Sequence, residues 1–426
     1  MRWAIVADDL TGAADAAVVF ADRGIETTVW LCEPEEFPDG TCCSVDTNSR
    51  WQDAESAAKS IRKHIRKLQN TDWLMLKIDS TLRGFVGAIV QAAWQSSKRK
   101  WALIAPSVPR QGRKVINGKL FVHEQLVTEL DLAKEQPAPI TTPSIAERLR
   151  ETGLDKFSLE HLNIEVIRHS NQLAQTIERA ATNGIGLICD AETDKDLERI
   201  VSAAVKSPTQ PLFVGASGLA KALAKVTEKP KIEATLRIGI LPDRVRRVRE
   251  SALRDREKIR RCSISTIRLR PSKILVIVGS QQTLARKQLE FLAAKGVPVT
   301  EIINLNFSTL PDAKVSAVLL KPDNFLKFAL QTQKRPLACA CSQLLNAELL
   351  RRFNALIIVG GLTARAIFDL LGVKRWDLMG SLLSGMPFGI VYLRNRKLLV
   401  ATKAGGFGKR QTLWRAVVAL NEISAE

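Results

Sequence analysis

The chain has 426 residues, of which 46% are hydrophobic, and it carries a formal net charge of +19. This length exceeds one ordinary core, so two globular domains are predicted. The seven cysteines include no C-x-x-C pair, which argues against a disulfide framework and a structural zinc site. Apolar runs stay well short of the roughly 18 residues of a membrane span. Asp8 and Asp9 come too early for a signal peptide, so we expect a cytoplasmic location.

Short apolar runs alternate with helical patterns along the chain. The predicted strands are Trp3–Ala7, Thr27–Cys32, Trp73–Ile78, Trp101–Ala105, Ile185–Cys189, Pro211–Val214, Lys273–Val278, Ala355–Val359 and Leu398–Thr402. This alternation is typical of parallel sheets. The predicted fold class is therefore α/β, with two α/β domains at 1–228 and 273–426, each a mainly parallel sheet flanked by helices. Because such sheets bind ligands beyond the carboxyl ends of their strands, we expect an active site there, in the cleft between the domains.

The segment 229–272 between the predicted domains is strongly basic. From Lys229 to Lys273 the chain has fifteen Lys or Arg and five Asp or Glu, so about half of the net charge lies there. The structural interpretation is a solvated interdomain insert, and the functional one is a surface for nucleic acid or a protein partner. Aromatic residues do not interleave with the basic ones, so stacking on bases is not indicated and nucleic acid is not the expected partner.

Two adjacent carboxylates, Asp8 and Asp9, follow the first predicted strand in the run Ala7–Ala13. At a strand end they could accept hydrogen bonds from substrate hydroxyls, or take the proton of an attacking alcohol. One of them could instead cap the helix that follows. The residues alone leave both interpretations open, with Asp8 favoured as the cap and Asp9 as the ligand.

Three further polar segments follow strands of the first domain. Arg50 has a fork that suits a carboxylate, although an isolated arginine is more often solvated. The composition of the run Lys77–Gly84 suits the binding of a small polyhydroxy acid. The structural alternative is a strand followed by a helix cap. The polar members of the run are Lys77, Asp79, Ser80, Thr81 and Arg83. The loop Pro106–Arg113 either places Arg113 at the same binding site or is merely a rigid connection.

Three glycine-bearing turns follow strands of the second domain, each ahead of a helical pattern. Backbone N–H groups at such turns bind phosphate oxygens at a helix N-terminus. One such turn is often only a tight connection, but three in one half favour a phosphate cradle, to which Lys403 adds a cation. The candidate residues are Ser280, Gly360, Gly361, Leu362, Thr363, Lys403, Gly405, Gly406 and Gly408.

The standard nucleotide fingerprints do not occur in the sequence. Gly408 and Lys409 are followed by Arg410, so the run is not a G-x-x-x-x-G-K-[ST] loop. The first strand is not followed by G-x-G-x-x-G, which argues against a nicotinamide-dependent oxidoreductase.

Taken in chain order, these segments resemble the four-carbon acid sugar kinase family, whose members phosphorylate threonate, erythronate and 3-oxo-tetronate. The matching segments are Ala7–Ala13, Asn48–Arg50, Lys77–Gly84, Pro106–Arg113, Asp190–Leu197, Gly215–Ala220, Gly279–Ser280, Gly360–Ala364 and Lys403–Gly408. The matches at Lys77–Gly84 and Lys403–Gly408 are too specific to arise readily by chance.

The resemblance implies a sugar-acid-binding domain at 1–228 and a nucleotide-binding domain at 273–426. It implies an ATP-dependent phosphotransferase that acts on the terminal hydroxyl of the acid, with Mg²⁺ bridging ATP oxygens. Asp9 is the expected catalytic base and Asp79 the second candidate. The residues implied for the acid are Asp8, Asp9, Arg50, Lys77, Asp79, Ser80, Arg83 and Arg113. The expected partners are the acid and ATP, and no association with a membrane is expected. The residues that would bind the metal are not identified, and the question of a homo-oligomer is left open.

The sequence departs from the family pattern at three places. Leu362 stands where the family usually has an acidic residue, the basic segment is longer than the family's link, and 131–140 lacks the family's Asp-Pro. Together with the charge, these differences leave one alternative: a catalytically reduced member that acts as a basic binding protein. Salt-sensitive binding of nucleic acid without ATP binding would favour that alternative.

Overall fold

The computed structural model of the chain describes residues 1–226, 273–280, 282–302, 313–320, 352–393 and 396–425. The chain divides into two compact units. Unit 1 is Met1–Phe20 with Ile25–Lys229, and unit 2 is Ala21–Gly24 with Pro230–Glu426. The basic segment 229–272 lies outside the described residues, so its role as an insert stays a prediction.

Unit 1 alternates strands and helices as the sequence predicts. Its strands are β1 (Trp3–Ala7), β2 (Thr27–Trp30), β3 (Cys42–Asp46), β4 (Trp73–Lys77), β5 (Ala102–Ala105), β6 (Arg113–Ile116), β7 (Lys119–Val122), β8 (Gln125–Leu126), β9 (Leu159–Leu162), β10 (Gly186–Cys189) and β11 (Leu212–Gly215). Its α-helices are α1 (Leu10–Ala21), α2 (Ala54–Leu68), α3 (Val86–Ser96), α4 (Ile145–Glu151), α5 (Ile164–Arg168), α6 (Ser170–Asn183), α7 (Asp194–Ala204) and α8 (Ser217–Val226).

The strands of the main sheet in unit 1 lie in the order β2-β3-β1-β4-β11-β5-β10-β9, and their pairings are parallel. All five residues of β1 are buried, which explains why this strand is a continuous apolar run. After β1 the chain turns to β2 and β3 on one side, and after β4 it turns to β5 on the other. The crevice between the carboxyl ends of β1 and β4 is therefore a topological switch point, where open α/β sheets bind ligands.

A small antiparallel sheet, β6-β7-β8, follows β5 and begins at Arg113. Its turn at Asn117 and Gly118 is fixed by Asp190, whose carboxylate accepts hydrogen bonds from their two N–H groups at 3.0 and 2.9 Å. Asp190 also lies 2.9 Å from the ring nitrogen Nε2 of His161 and is fully buried. These contacts hold the turn between β6 and β7 in place.

Unit 2 has a mixed sheet in the order β13-β14-β12-β15-β18-β17-β16, parallel from β13 to β18 and antiparallel from β18 to β16. Its strands are β12 (Ile274–Val278), β13 (Val299–Ile302), β14 (Val315–Leu320), β15 (Ala355–Val359), β16 (Arg375–Leu383), β17 (Met386–Leu393) and β18 (Arg396–Lys403). Its described helices are α9 (Thr283–Ala294), α10 (Gly361–Leu370) and α11 (Thr412–Ala425). The predicted α/β class is confirmed.

Each unit buries an apolar cluster of its own. In unit 1 it includes Val6, Leu76 and Val214 from neighbouring strands, and in unit 2 Val276 and Ile357. Full burial of such a side chain stabilises the fold by about 1.5–3 kcal/mol. Within the described ranges, no helix combines the length and the apolar character that crossing a bilayer requires.

Candidate active site

Arg50 joins the two aspartates that follow β1. Its Nε and Nη2 donate to the two carboxylate oxygens of Asp8, each at 2.8 Å. Its Nη1 and Nη2 donate to the two oxygens of Asp9, each at 2.7 Å. Asp8 is 1% exposed and Arg50 is 9% exposed, so this is a buried charge cluster rather than a surface ion pair. In this arrangement Arg50 positions the aspartates, and its assignment as a ligand of the substrate carboxylate stays a prediction.

The capping of α1 differs from the prediction. The Gly12 N–H donates to Asp9 Oδ1 at 2.9 Å, so Asp9 satisfies the start of the helix. The sequence favoured Asp8 for this role, but Asp8 turns its carboxylate to Arg50 instead. Both oxygens of Asp9 are therefore already engaged by donors.

Asp79 occupies the end of β4 and belongs to the same charge cluster. It accepts from Arg83 Nε at 2.8 Å and from Arg83 Nη2 at 3.1 Å, and the Thr81 hydroxyl also donates to it. Arg50 Nη2 lies 3.8 Å from Asp79 Oδ1. Glu135, from the segment 131–140 that departs from the family pattern, accepts from Arg83 Nη1 at 3.1 Å. Ser80 is half-buried beside them.

The mutual attraction of these groups sets their ionisation. Burial raises the pKa of Asp79, but the guanidinium groups of Arg83 and Arg50 outweigh it and hold that pKa well below its usual value. Burial lowers the pKa of Arg50, but the carboxylates of Asp8, Asp9 and Asp79 raise it well above its usual value. Asp79 and Arg50 therefore stay charged over the physiological range. Burial raises the pKa of Asp8, although the charge of Arg50 opposes this.

Lys77, the last residue of β4, lies next to Asp9. A Cβ placed at Gly12 would overlap Asp9 Oδ1 and come within 2.9 Å of Lys77 Nζ, so both groups converge on this glycine. The Lys77 ammonium donates to its neighbouring carbonyl, Ile78 O, at 2.8 Å. An ammonium has three donors, so this contact leaves capacity for a ligand.

Arg113 approaches the cluster from the start of β6. Its Nη1 donates to the side chain of Gln111, while its Nε is buried without a hydrogen-bond partner among the described residues. Burial lowers the pKa of Arg113, which Asp79 and Asp15 oppose. A buried donor without a partner is costly in a folded protein, so this fork is available to a carboxylate.

Two residues of this site were not predicted from the sequence. Asp15 lies on α1 near Lys77 and Arg113, and its carboxylate accepts a hydrogen bond from the Ser217 side chain. Its spacing of three residues from Gly12 on a helix is the signal that could have found it. Arg148 donates to four backbone carbonyls, those of Leu82, Gly84, Ala138 and Pro139. No pattern in the sequence reveals such carbonyl partners.

The three glycine turns of unit 2 meet at one edge of its sheet. The Gly279 N–H donates to Val359 O at 3.2 Å, and the Gly360 N–H donates to Lys403 O at 2.9 Å. A Cβ at Gly405 would overlap the Ser280 hydroxyl, and one at Gly279 would overlap Thr363 Oγ1. Only glycine therefore fits at Gly279 and Gly405, and the three turns come together around Ser280.

Lys403 stabilises the glycine-bearing turn that follows it. It is 1% exposed, and its Nζ donates to Ala404 O at 2.7 Å, Phe407 O at 2.8 Å and Gly405 O at 3.2 Å. Burial lowers the pKa of Lys403 to about 8. The ammonium thus fixes the turn from inside.

The remaining candidates of unit 2 lie around this cradle. Leu362 is half-buried in the first turn of α10. Gly408 has a φ of +92°, which favours glycine, and Gly406 packs loosely against Gln282. Gln288, fully buried on α9, donates to Phe407 O and Lys409 O at 3.1 and 2.9 Å. Among the described residues, no group of three or more His, Cys, Asp or Glu side chains could hold a metal ion.

Family models match both ends of the chain. A model described as a sugar-binding N-terminal domain matches residues 3–223, and one described as a nucleotide-binding C-terminal domain matches residues 321–413. The chain belongs to the four-carbon acid sugar kinase family. The resemblance inferred from the sequence motifs is thereby confirmed.

The relatives of this chain in the family are kinases named for three different substrates. A D-threonate kinase of Salmonella typhimurium is 28% identical over 99% of this chain and 99% of that protein. A 3-oxo-tetronate kinase of Cupriavidus necator is 25% identical over 95% and 93%. A D-erythronate kinase of Heliobacterium modesticaldum is 29% identical over 53% and 54%. The alternative of a basic binding protein finds no support among them.

Solved structures share the fold. A crystal structure from Salmonella typhimurium LT2 has a TM-score of 0.71 at 20% identity, covering 97% of this chain and 98% of that one. A Haemophilus influenzae protein has a TM-score of 0.65 at 18% identity, covering 97% and 99%. At this low sequence identity, the likeness shows that this chain has the same fold as these two structures.

Proposed function

We propose that this protein transfers the γ-phosphoryl group of ATP to the terminal hydroxyl of a four-carbon sugar acid of the threonate, erythronate or 3-oxo-tetronate type. The observation that carries the proposal is the convergence of the Gly279, Gly360 and Gly405 turns around Ser280, with Thr363 of the first turn of α10 packed against Gly279 and Gly360. Helix N-termini with close-packed glycine turns bind phosphate groups through backbone N–H donors. Ser280, Gly360–Thr363 and Gly405–Gly408 would hold the nucleotide, while Lys403 fixes the turn that presents it.

The acid would bind at the switch point of unit 1. Lys77 and Arg113 would meet its carboxylate, because both have donors left after their contacts within the protein. The carboxylates of Asp9 and Asp79, held in place by Arg50 and Arg83, would orient its hydroxyls. A small acid with several hydroxyls matches this mixture of cations and carboxylates.

Phosphoryl transfer needs mainly positioning and neutralisation of charge. Mg²⁺ would come with ATP, bound to phosphate oxygens and water, and would neutralise phosphate charge there. The side chains of this chain bind the acid and orient its hydroxyl. A cytoplasmic location and a homo-oligomer stay predictions.

The test is a coupled ADP-release assay with the purified full chain. It compares both enantiomers of threonate and erythronate, and 3-oxo-tetronate, with threitol and erythritol, the polyols that lack the carboxylate. We expect turnover on at least one acid and none on the polyols. A folded protein that binds ATP and turns over none of the acids would overturn the proposal.

A further inference from the structure

Glu135 binds the guanidinium nitrogen of Arg83 that Asp79 leaves free. The carboxylate of Asp79 accepts from Nε and Nη2 of Arg83, at 2.8 and 3.1 Å, and Glu135 Oε2 accepts from Nη1 at 3.1 Å. The side chains of Arg83 and Glu135 are 27% and 38% exposed, so this contact lies on the solvent side of the charge cluster. All three nitrogens of this guanidinium are therefore engaged by carboxylates.

Arg148 on α4 holds the two loops that this contact joins. An ion pair between partly exposed side chains usually contributes little, because two long side chains must be held in one geometry. Arg148 is 2% exposed, and its guanidinium donates to four backbone carbonyls, two beside Arg83 and two near Glu135. The four acceptors are Leu82 O at 3.2 Å, Gly84 O at 3.1 Å, Ala138 O at 2.7 Å and Pro139 O at 2.8 Å. The fold itself therefore places Glu135 beside Arg83.

The contacts of the cations decide what this site offers to a substrate. Arg50 and Arg83 are each bound by two carboxylates. Lys77 and Arg113 keep donors, which the proposed function assigns to the carboxylate of the acid. Asp79 Oδ1 accepts one hydrogen bond from a described residue, Arg83 Nη2, and a carboxylate oxygen has room for a second. A hydroxyl of the acid can donate to this oxygen, and a ketone cannot.

We propose that Glu135 is a positioning residue that makes the site select a hydroxyl at carbon 3 of the acid. This inference rests on the proposed function and deepens it, because it favours threonate and erythronate over 3-oxo-tetronate, which bears a ketone at carbon 3. Glu135 keeps Arg83 engaged, so the guanidinium does not turn to the ketone oxygen and Asp79 stays in place to accept from the hydroxyl. A site built to hydrogen-bond a substrate hydroxyl rejects the analogue that lacks it, since a polar group of the site is then left unpaired.

The test measures kcat/KM of the full chain for 3-oxo-tetronate and for the better of threonate and erythronate. We expect the wild type to favour the hydroxy acid about 10²-fold or more. Glu135→Gln keeps the size of the side chain but loses its charge, and it should lower this ratio about tenfold, mostly through the KM values. Glu129→Gln, at an exposed position of the same unit, is the matched control and should leave the ratio unchanged. A wild type that favours 3-oxo-tetronate, or a ratio that Glu135→Gln leaves unchanged, would overturn the inference.

A second pair of variants shows whether Glu135 acts through Arg83. In an Arg83→Gln background the guanidinium is gone, so adding Glu135→Gln should not change the ratio further. An equal fall of the ratio in both backgrounds would contradict the inference, since a merely structural effect of Glu135 would persist without Arg83. A wild type that turns over none of the acids would overturn both proposals. A wild type that prefers 3-oxo-tetronate would overturn this inference and leave the proposed function standing.

Discussion

Arg50 illustrates how a single side chain organises the charged groups at the strand ends of unit 1. Its guanidinium balances Asp8 and Asp9, whose carboxylates come from the end of a different strand. The sequence correctly marks Arg50 and both aspartates as strand-end residues. Their pairing, however, depends on β1 and β3 lying side by side, which no short motif encodes.

Replacing Arg50 would leave two carboxylates without their partner in a buried site. We expect Arg50→Met to lower the free energy of unfolding by about 3–5 kcal/mol, because an uncompensated buried charge is costly. Urea unfolding measures the change, with Arg66→Met on the exposed side of α2 as control. A loss in Arg50→Met no larger than in the control would show that the cluster contributes little to stability.

The buried ammonium of Lys403 should make the free energy of unfolding depend on pH in one direction. Its pKa of about 8 in the folded chain lies below the ordinary lysine value of about 10.4, so between these pH values the unfolded chain holds the extra proton. The free energy of unfolding of the wild type should therefore rise relative to Lys403→Met as the pH increases through this window. Denaturant unfolding at pH 7.5 and 9.5 measures it, with exposed Lys287→Met as control. A difference that is constant with pH would contradict the burial of this ammonium.

At the level of elements, the strand-to-helix turns carry the binding groups. Their glycines can be found in the sequence because β12 and β15 are short apolar runs followed directly by glycine, and Gly405 comes two residues after β18. The antiparallel strands β16 and β17 were not predicted. Burial alternates only in the first part of β16, β17 is continuously buried over its first six residues, and Gly380 and Gly385 interrupt the pattern of the hairpin.

Gly360 allows a test of the phosphate cradle at one position. It has a φ of +112°, and a Cβ there would lie 2.9 Å from Thr363 Oγ1. We expect Gly360→Ala to weaken ATP binding about tenfold or more, since backbone strain of order 1–3 kcal/mol would displace the start of α10. Calorimetric titration with ATP measures the loss.

The matched control for Gly360→Ala is Gly296→Ala. Gly296 also has a positive φ, +82°, but a Cβ there meets nothing within 4 Å. This variant should lose about 1 kcal/mol of stability without a change in ATP affinity. Equal ATP affinities in the two variants would contradict the cradle.

The hairpin that carries Arg113 depends on Asp190. We expect Asp190→Asn to raise the KM for the acid more than the KM for ATP, because the amide cannot accept from both N–H groups as the carboxylate does. Steady-state kinetics with each substrate varied in turn measures the two constants. A rise in the KM for ATP alone would show that the hairpin does not position Arg113 for the acid.

At the scale of the whole molecule, the proposed function assigns different ligands to the two units. The α/β class and the family were predictable from strand periodicity and from the motifs at Lys77–Gly84 and Lys403–Gly408. The hydrogen bond from Ser217 to Asp15 was not, because the two residues lie far apart in the sequence. The contacts of Lys403 with the carbonyls of its own turn were not either, because no side-chain pattern reveals backbone carbonyl partners. The net charge of +19 suits anionic ligands, although the basic segment 229–272 lies outside the described residues.

The central claim is that unit 1 binds the acid and unit 2 binds the nucleotide. The measurement that tests it most directly is calorimetric titration of Arg113→Gln and Gly360→Ala, each with ATP and with the acid that the wild type uses. We expect complementary losses of about tenfold or more: Arg113→Gln loses acid affinity and keeps ATP affinity, whereas Gly360→Ala loses ATP affinity and keeps acid affinity. Unchanged acid affinity in Arg113→Gln, or acid affinity that falls only in Gly360→Ala, would contradict it.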